Sequence, residues 1–554
     1  MSRRAQILSL AVLLLIAVLT VVGYANRSTL MVKSMGLIQR TVSAPGPNQP
    51  VVWPGGVWQD SGQQPPNIIV ILTDDMGFND VSMHGGGLIP TPHIDQLAHE
   101  GVLFANGYAG SAVCSISRAM LLTGRYSTRF GFEFTPAPDM MGPILQQLSH
   151  QDTMPRKFRF DEVHGAASHD GHELPFASRG LPPQEITLAE ELQQAGYRTL
   201  HVGKWHLGRD AQLRPSAQGF DDSLLMESGL YLPVDSPDVV NARNEFAILD
   251  QVQWEILSYS ASFNNSAPFE PDGYLTDYYT AEAVKAIEAN KNRPFFLYLS
   301  HWGIHTPLQS SRADFEAVGD GFVNHRTRVY AGMIRAVDRS VGKILQALKD
   351  NGIDQRTLVI FTSDNGGANY IGMPDINKPY RGWKLSFFEG GTHVPFAMRW
   401  PGTLPAGQIY AHPVSHLDIF PTVLGAVQRQ PAQELIDGVN LLPYVTQHKP
   451  GMPHETLIWR EGDYQAIMSG GWKMQRSTHP SRIRLFHLEQ DPFEQFDLSA
   501  SHGTQIAALS QVLDAHNEQQ AEPLWPSRIA IPIWIDKTLA DQPSLEDDYI
   551  YWPN

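Results

Sequence analysis

The sequence predicts an α/β fold in which helices flank a large, mostly parallel sheet and a small C-terminal domain follows. Apolar runs of strand length recur without alternation, as in NIIVILTDD and RPFFLYLSHWG. Such runs indicate strands that are buried on both faces of a sheet. Amphipathic segments such as VYAGMIRAVDRSVGKILQALKDNG separate these strands. The alternation of helix and strand is typical of a parallel sheet that is covered on both sides.

The elements follow one another in a regular order. The first strand begins near Asn67, TPHIDQLAHEGVLFANGYA predicts a helix and a strand, and TLAEELQQAGYRTLHVGKWHLG predicts the same pair. TLVIFTSDNGG is a further buried strand. After Pro443, short strand-like pieces predict a small antiparallel sheet, a helix near residues 505–519 and an extended tail. We therefore expect a catalytic domain over residues 67–443 and a C-terminal subdomain over residues 444–554.

The N-terminal residues 1–25 resemble an export signal. An arginine pair precedes an apolar run from Ile7 to Val22, and the small residues Gly23 and Ala25 follow. A cleaved signal peptide is the prediction, and an uncleaved membrane anchor is the alternative because the run approaches the length of a membrane span. Residues 26–66 are rich in Pro, Gly and Gln and predict a linker. We expect an exported protein, periplasmic or secreted.

The composition limits the function and makes the single cysteine informative. The 554 residues include 57 acidic and 41 basic ones, which gives a net charge of -16. This charge repels phosphate backbones, so we expect no nucleic-acid partner. Cys114 is the only cysteine. It cannot form a disulfide within the chain, and another role must explain it.

Oxygen ligands follow two of the buried strands. Asp74 and Asp75 end the first strand, and Asp364 and Asn365 end a later one. The carboxyl ends of parallel strands meet at one edge of a sheet, where ligands bind in α/β proteins. Carboxylate and amide oxygens favour calcium, whereas zinc usually takes His or Cys. The alternative, for either pair taken alone, is that its residues cap a helix or form a turn after the strand.

Short motifs, several of them rich in Gly, Trp and apolar residues, contain cationic and histidine side chains. These residues are Arg118, Lys204, His206, His301, His305, Arg381 and Lys384. Each alone is typical of a surface charge or a satisfied polar residue. Together they would surround a multiply charged oxyanion such as sulfate or phosphate.

Two long segments show no clear elements. They span residues 136–181 and 229–271, and we expect them to shape substrate access. The first segment contains His150, His164, His169 and His172. The irregular spacing of these histidines does not favour a metal site.

The segment CSISRAMLLTGRY resembles the signature of the type I sulfatase family, C-x-P-S-R followed by L-T-G-R. Further blocks, among them GKWHLG, HWGIHTPL, TSDNGG and RGWKLSFFEGGTHVPF, are similar to those of the family and occur in its order over about residues 67–443. FNDVSMHG and TPHIDQL look most like the arylsulfatase B branch. The resemblance implies an alkaline-phosphatase-like fold and hydrolysis of aryl or carbohydrate sulfate esters.

The resemblance also implies roles for individual residues. A formylglycine-generating enzyme would convert Cys114 to formylglycine, whose hydrate supplies one hydroxyl to attack sulfur and a second to expel sulfate afterwards. One calcium ion would be bound by residue 114, Asp74, Asp75, Asp364 and Asn365. Arg118 and Lys204 would position the hydrate and the sulfate, and His206 would remove a proton. His305 and Lys384 would hold sulfate oxygens and help to protonate the leaving alcohol.

One signature position departs from the family. The third position is normally proline or alanine, whereas this chain has Ile116. A β-branched residue still favours an extended backbone, so we expect conversion of Cys114 at reduced efficiency. Two other functions stay open at this point. One is a phosphate mono- or diesterase on the same scaffold, and the other is a catalytically silent sulfate-binding protein with unmodified Cys114.

Overall fold

The computed structural model describes residues 33–34, 36, 44–59, 64–138, 174–433, 435–544 and 546–554. The predicted export signal, residues 1–25, lies outside these ranges, as do His150, His164, His169 and His172. Among the helices of the described ranges, none has the length and apolarity that a membrane span requires.

The strands and helices alternate over the described part of residues 67–443 as predicted. In chain order, the strands are β1 (Asn67–Thr73), β2 (Val102–Phe104), β3 (Gly107–Tyr108), β4 (Arg198–Gly203), β5 (Asp222–Gly229), β6 (Val239–Ala242), β7 (Tyr259–Phe263), β8 (Phe295–Ser300), β9 (Leu308–Ser311), β10 (Thr357–Ser363), β11 (Phe396–Arg399), β12 (Gln408–Tyr410), β13 (Val414–Ser415), β14 (Thr456–Glu461), β15 (Tyr464–Ser469), β16 (Trp472–Thr478), β17 (Ser481–His487), β18 (Ala530–Trp534) and β19 (Tyr549–Pro553). The α-helices are α1 (Pro92–His99), α2 (Cys114–Thr123), α3 (Leu188–Gln194), α4 (Ile248–Ile256), α5 (Leu275–Asn290), α6 (Arg312–Ala317), α7 (His325–Asp350), α8 (Glu389–Thr392), α9 (Ile419–Ala426), α10 (Leu442–Val445) and α11 (Gly503–Asn517).

The main sheet is mostly parallel, which confirms the predicted fold class. Its strand order is β12-β2-β11-β10-β1-β8-β4-β5-β7. Parallel pairs join β1 to β10 and β8, β4 to β8 and β5, and β12 to β2. The antiparallel pairs involve β11 and β7. Ile71 in the central strand β1 pairs with Phe361 of β10 and with Leu299 of β8.

Both faces of the main sheet are buried. Every residue of β1 is buried, and alternate side chains belong to separate apolar clusters. Ile69 and Ile71 pack in the cluster that contains residues of α5 and α7. Ile68 and Val70 pack on the other side with residues of α3 and α9. Full burial of each such side chain contributes about 1.5–3 kcal/mol, which makes the sheet a rigid support for residues at its edge.

The C-terminal subdomain contains the predicted small antiparallel sheet. Strands β14 to β17 pair in sequential order, and α11 packs on them through Leu509 and Leu513. The predicted extended tail contains the strand pair β18 and β19. Buried ion pairs join the sheet of β14 to β17 to the preceding part of the chain, among them Lys473 Nζ to Glu389 Oε1 at 2.7 Å.

Two segments have more structure than their sequences indicated. Residues 229–271, expected to be irregular, contain β6, α4 and β7. β6 pairs with β9, which lies far away in sequence, so local patterns do not reveal it. Residues 44–59, part of the predicted linker, contact α5. Trp53 is buried there, and its Nε1 donates to Glu282 Oε2 at 3.0 Å.

Candidate active site

Four strand ends supply the floor of the candidate site. Thr73 pairs with Ser363, so Asp74 and Asp364 emerge side by side from β1 and β10. Gly203 pairs with Ser300, which places Lys204 at the same edge of the sheet. Gly203 has a φ of +111°, and a Cβ atom there would overlap the carbonyl oxygen of Ser300. Glycine is therefore required where β4 turns towards the site.

Helix α2 brings Cys114 to these strand ends. Cys114 is the first residue of the helix, and Arg118 lies one turn later on the same face. All ten residues of α2 are buried, including Ile116. The Sγ atom of Cys114 is 3.6 Å from Asp74 Oδ1 and 3.8 Å from Asp75 Oδ1. The positive end of the helix dipole thus faces the carboxylates.

Arg118 links the two strand-end aspartates. Its Nη2 donates to Asp74 Oδ2 at 2.9 Å and to Asp364 Oδ2 at 2.7 Å, and its Nε donates to Asp364 Oδ2 at 2.9 Å. Nη1 also donates to the hydroxyl of Ser300. The three charged side chains are fully buried. Charge-assisted bonds of this kind hold the carboxylates in fixed positions.

Two lysines complete the charge balance. Lys204 Nζ lies 2.5 Å from Asp74 Oδ2. Lys384 Nζ lies 2.6 Å from Asp75 Oδ1 and 3.2 Å from Cys114 Sγ. Burial alone would raise the pKa of Asp75, but Lys384 and His305 outweigh it and hold that pKa below its ordinary value. Asp75 is therefore ionised at neutral pH.

The Cys114 thiol is not activated as it stands. Burial and the charge of Asp364 raise its pKa far above the ordinary value, although Lys204 and Lys384 act in the opposite direction. The thiolate is the nucleophilic form of cysteine. An unmodified Cys114 is therefore neutral and a poor nucleophile.

The oxygen and sulfur atoms here suit a metal ion. Asp74, Asp75, Cys114 and His305 each offer one ligand atom, and these atoms lie within 4.8 Å of one another. The Oδ1 atom of Asn365 is buried beside them and has no hydrogen-bond partner among the described residues. A buried acceptor without a donor is costly unless a cation or water satisfies it. The oxygens of Asp74, Asp75 and Asn365 thus fit a hard divalent cation, whereas the Cys114 sulfur and the His305 nitrogen are ligand atoms that zinc usually takes.

The tight group shares Asp74, Asp75 and Cys114 with the predicted ligand set, and it does not include Asp364. Asp364 Oδ2 accepts from Arg118, and Asp364 Oδ1 accepts from the backbone N–H of Asp75 at 3.2 Å. His305 completes the tight group in its place, with Nε2 at 3.5 Å from Asp75 Oδ2. Binding of the cation by Asp364 therefore stays a prediction.

Two histidines line the opening of the site. His206 has a φ of +63°, and its buried Nδ1 has no partner among the described residues. His305 stacks on Trp302 with ring centroids 3.9 Å apart, and its Nδ1 donates to the carbonyl oxygen of Thr306 at 2.7 Å. Burial lowers the pKa of His305 to about 3 and holds the pKa of His206 well below its ordinary value. Both imidazoles are neutral at physiological pH.

A cavity of about 400 Å³ opens beside these histidines. Lys204, His206 and His305 form part of its wall, together with Trp302 and Arg209. Residues from both irregular segments also line it, including Pro136 to Pro138, Gly229, Gln253 and Leu257. The expectation that these segments shape access agrees with this lining. The volume suits a small molecule or one unit of a larger chain.

The structure brings together the predicted residues Asp74, Asp75, Cys114, Arg118, Lys204, His206, His305, Asp364, Asn365 and Lys384. It does not bring the other two cationic candidates to the site. His301 Nε2 bonds instead to the hydroxyl of Ser340 at 2.8 Å. Arg381 Nη2 donates to Asp536 Oδ2 at 2.6 Å in the C-terminal subdomain.

Sequence reasoning missed three side chains that support the site. The Tyr370 hydroxyl donates to Asp75 Oδ2 at 2.8 Å, Ser300 accepts from Arg118, and Trp302 lies beneath His305 and Lys204. Ser300 ends the predicted strand of RPFFLYLSHWG and Trp302 follows it closely, so their position at the end of a buried strand could have identified both residues. No local pattern marks Tyr370.

This geometry is that of a hydrolase for anionic esters, because buried residue 114 faces both cations and oxygens that could hold a metal ion, beside an open cavity. A family model described as Sulfatase matches residues 66–428. The chain belongs to the sulfatase family and is a sulfuric ester hydrolase.

Relatives and solved structures agree with this assignment. The N-acetylgalactosamine-6-sulfatase of Homo sapiens is 32% identical over 509 residues, covering 85% of this chain and 89% of that protein. The steryl-sulfatase of Rattus norvegicus is 27% identical and covers 86% of this chain and 94% of that protein. The crystal structure of Ps i-CgsB in complex with k-i-k-neocarrahexaose has a TM-score of 0.67 and 29% identity, with coverage of 83% and 95%. The alkaline-phosphatase-like fold is confirmed, and the arylsulfatase B branch stays a prediction.

Proposed function

We propose that the protein removes sulfate from a sulfated carbohydrate, using formylglycine made from Cys114 and one bound calcium ion. The single observation that carries this proposal is the position of residue 114. It lies at the N-terminus of α2, 3.2 Å from Lys384 Nζ and within 3.8 Å of oxygens of Asp74 and Asp75. A nucleophile at this position faces both the cations and the metal ligands that a sulfate ester requires.

Conversion of Cys114 to formylglycine would give the site the nucleophile that the unmodified thiol does not provide. The buried thiol is neutral, since its pKa lies far above the ordinary value. A formylglycine hydrate would supply the hydroxyl that the thiol cannot. A formylglycine-generating enzyme is the partner that this maturation requires.

Calcium would be held by Asp74, Asp75 and Asn365 with residue 114, and Asp364 is the further predicted ligand. The Oδ1 atom of Asn365, which has no hydrogen-bond partner in the described ranges, supports this assignment, because a hard cation takes oxygen ligands. When bound, the ion would neutralise charge on the sulfate oxygens. Three carboxylates face Arg118, Lys204 and Lys384, so a divalent cation gives the site an excess of positive charge. This excess suits an anionic ester.

The remaining side chains position the ester and move protons. Arg118 is bound to Asp74 and Asp364 and would fix these two predicted metal ligands. Lys204 and Lys384 would stabilise the sulfate oxygens as charge develops. The Thr306 carbonyl can only accept, so the proton of neutral His305 is on Nδ1 and its Nε2 accepts. Nε2 would pass a proton to the leaving alcohol only after taking one up. His206, whose pKa is lowered, is neutral and fitted to accept a proton.

A carbohydrate substrate is supported by the relatives and by the cavity. The named relatives include an N-acetylgalactosamine-6-sulfatase, and Ps i-CgsB was solved with k-i-k-neocarrahexaose. The cavity of about 400 Å³ combines polar Gln253, Glu227 and Arg209 with the aromatic Trp302. A sugar presents both hydroxyl groups and apolar faces to such a wall.

We also propose that the protein acts outside the cytoplasm, periplasmic or secreted, after cleavage of residues 1–25. The arginine pair and the apolar run of that segment support export. N-terminal sequencing of protein from the native host tests this proposal. A mature chain that begins near residue 26 agrees with it, whereas a retained Met1 in the membrane fraction supports the anchor instead.

Paired substrates test the reaction itself. We expect the enzyme to hydrolyse 4-nitrophenyl sulfate much faster than 4-nitrophenyl phosphate, and to release sulfate from sulfated galactose oligosaccharides. The Cys114→Ala variant, with unchanged thermal unfolding, is expected to release none. A preference for the phosphate ester would contradict the proposal.

A further inference from the structure

The cavity beside the reacting centre carries more positive charge than one sulfate group uses. Its wall contains Lys204, His206 and His305, so it is continuous with the site where the ester reacts. Three arginines, Arg179, Arg209 and Arg214, line the same cavity. These arginines differ in how their guanidinium groups are bound.

Arg179 and Arg214 are already engaged by the protein. Arg214 Nη1 lies 3.2 Å from Glu227 Oε1, and its Nε donates to the carbonyl oxygen of Arg209 at 3.2 Å. Arg179 donates to the carbonyl oxygens of Leu174 at 3.0 Å and Ala137 at 2.8 Å. Their guanidinium groups hold the cavity wall in place.

Arg209 is different, because its side chain is exposed and has no ion pair or side-chain hydrogen bond within the described part of the chain. Its guanidinium carbon lies 5.2 Å from the ring centroid of Phe176, another residue of the cavity wall. A guanidinium group on an aromatic face keeps its N–H edges free to donate.

The backbone around Arg209 is fixed. The N–H groups of Arg209 and Asp210 both donate to the carbonyl oxygen of Ala177, at 3.3 and 3.1 Å. The hydroxyl of Ser178 donates to Asp210 Oδ2. The acid next to Arg209 is therefore engaged elsewhere, while the arginine side chain stays available at a defined place. A positioned cation binds an anion with a smaller entropy cost than a mobile one.

The chemistry of the ligand follows from this arrangement. The reacting sulfate already has Lys204 and Lys384 beside residue 114. A neutral sugar would not need a guanidinium group that lacks an ion-pair partner within the described residues. Such a group is the more notable because the protein has a net charge of -16. A sulfate or a carboxylate matches the planar fork of an arginine through paired hydrogen bonds.

We propose that Arg209 binds a second anionic group of the substrate, a sulfate or a carboxylate on the same sugar or the adjoining one. This inference rests on the proposed function and narrows the substrate to glycans that carry more than one anionic group near the reacting ester. Arg209 acts as a specificity-determining residue, because it contacts a group that does not react.

The test compares three matched disaccharides that carry the same reacting sulfate. One has no other charge, one has a second sulfate, and one has a uronic acid. We expect the second anionic group to raise kcat/KM of the unmutated enzyme by about ten- to a hundredfold, the range for hydrogen bonds to charged groups. The disaccharide with the higher kcat/KM, disulfated or uronic-acid-containing, shows whether Arg209 binds a sulfate or a carboxylate. The gain should shrink as salt concentration rises.

Variants assign the effect to Arg209. In Arg209→Gln the ratio of kcat/KM between the doubly and singly charged substrates should fall to near one, and Arg209→Lys should keep part of it. Lys285→Gln also removes one positive charge, from an exposed side chain of α5, and should keep the full ratio. An unmutated enzyme without any preference, or an unchanged ratio in Arg209→Gln, would overturn the inference. If the enzyme releases sulfate from none of the three substrates, the proposed function itself is contradicted.

Discussion

The Nζ atom of Lys384 lies 3.2 Å from the Sγ atom of Cys114. The same ammonium group bonds to Asp75 Oδ1 at 2.6 Å, and the Tyr370 hydroxyl lies 3.3 Å away. Burial alone would lower the pKa of Lys384, but Asp75 outweighs it and keeps the lysine charged. A buried, oriented cation is thereby held at the atom from which the nucleophile is made.

Removal of this cation should impair turnover more than binding. Lys384→Met keeps much of the side-chain volume and removes the charge. We expect kcat on 4-nitrophenyl sulfate to fall by about 10²–10³-fold, as when one preorganised donor to a transition state is lost. Steady-state kinetics give kcat and KM separately, and thermal unfolding checks that the variant is folded. Unchanged kcat in a folded variant would remove Lys384 from the mechanism.

Removal of calcium should lower both activity and stability. Chelation with EGTA removes a ligand that binds only the folded state, so Tm should fall, and added calcium should restore Tm and activity together. Magnesium should restore less, because it demands a smaller octahedral site. In Asn365→Ala, half-maximal restoration of Tm should need about tenfold more calcium. A Tm that is the same with EGTA and after calcium is added back would contradict the metal assignment.

The carboxyl group of Glu461 should make stability depend on pH. It is buried between the Ser111 hydroxyl and the Trp552 indole, where burial raises its pKa from 4.5 to about 8. A carboxyl with a raised folded-state pKa stabilises the fold fully below the unfolded pKa. That contribution is lost as pH rises from about 4.5 through 8.

Glu461→Gln mimics the protonated carboxyl, so this variant should not lose stability through residue 461 as pH rises. Urea unfolding at pH 5 and pH 8.5 measures the free energy of unfolding of both proteins. Relative to the variant, the unmutated protein should lose on the order of 1.4 kcal/mol per pH unit within the window. Parallel pH profiles for the two proteins would show that Glu461 does not titrate there.

Ile116→Pro should raise the converted fraction of Cys114. Ile116 lies in the first turn of α2, where proline is tolerated because the N–H is not needed within the helix. Its side chain is packed in the core, so we expect a loss of about 1 kcal/mol in stability from the lost packing. Co-expression with a formylglycine-generating enzyme, followed by mass spectrometry, compares the two proteins. Equal conversion would show that Ile116 does not limit maturation.

Much of this site could be predicted from sequence because its residues follow buried strands. Asp74 and Asp364 stand directly after runs whose lack of alternation marks them as central strands, and register alone then sets them side by side. Cys114 and Arg118 share one helical face through their spacing. In each case a local pattern fixes the direction of the side chain.

Other features depend on contacts between distant residues. Arg381 and Lys384 are three positions apart in one motif, yet only Lys384 reaches Asp75, because Asp536 binds Arg381. Trp53 anchors residues 44–59 although the surrounding composition is that of a linker. Tyr370 approaches Asp75 from a short 3-10 helix, Asn369–Ile371, that no recognisable sequence pattern marks. Local propensity cannot identify such partners.

The most direct test of the account is the chemical state of residue 114. Cleavage after Tyr108 and Arg118 of protein from the native host releases residues 109–118, whose mass distinguishes a thiol from an aldehyde. We predict a peptide with the mass of formylglycine at residue 114, which reacts with a hydrazide and not with iodoacetamide. A peptide that alkylates completely at Cys114, from enzyme that is active on sulfate esters, would contradict the proposed mechanism.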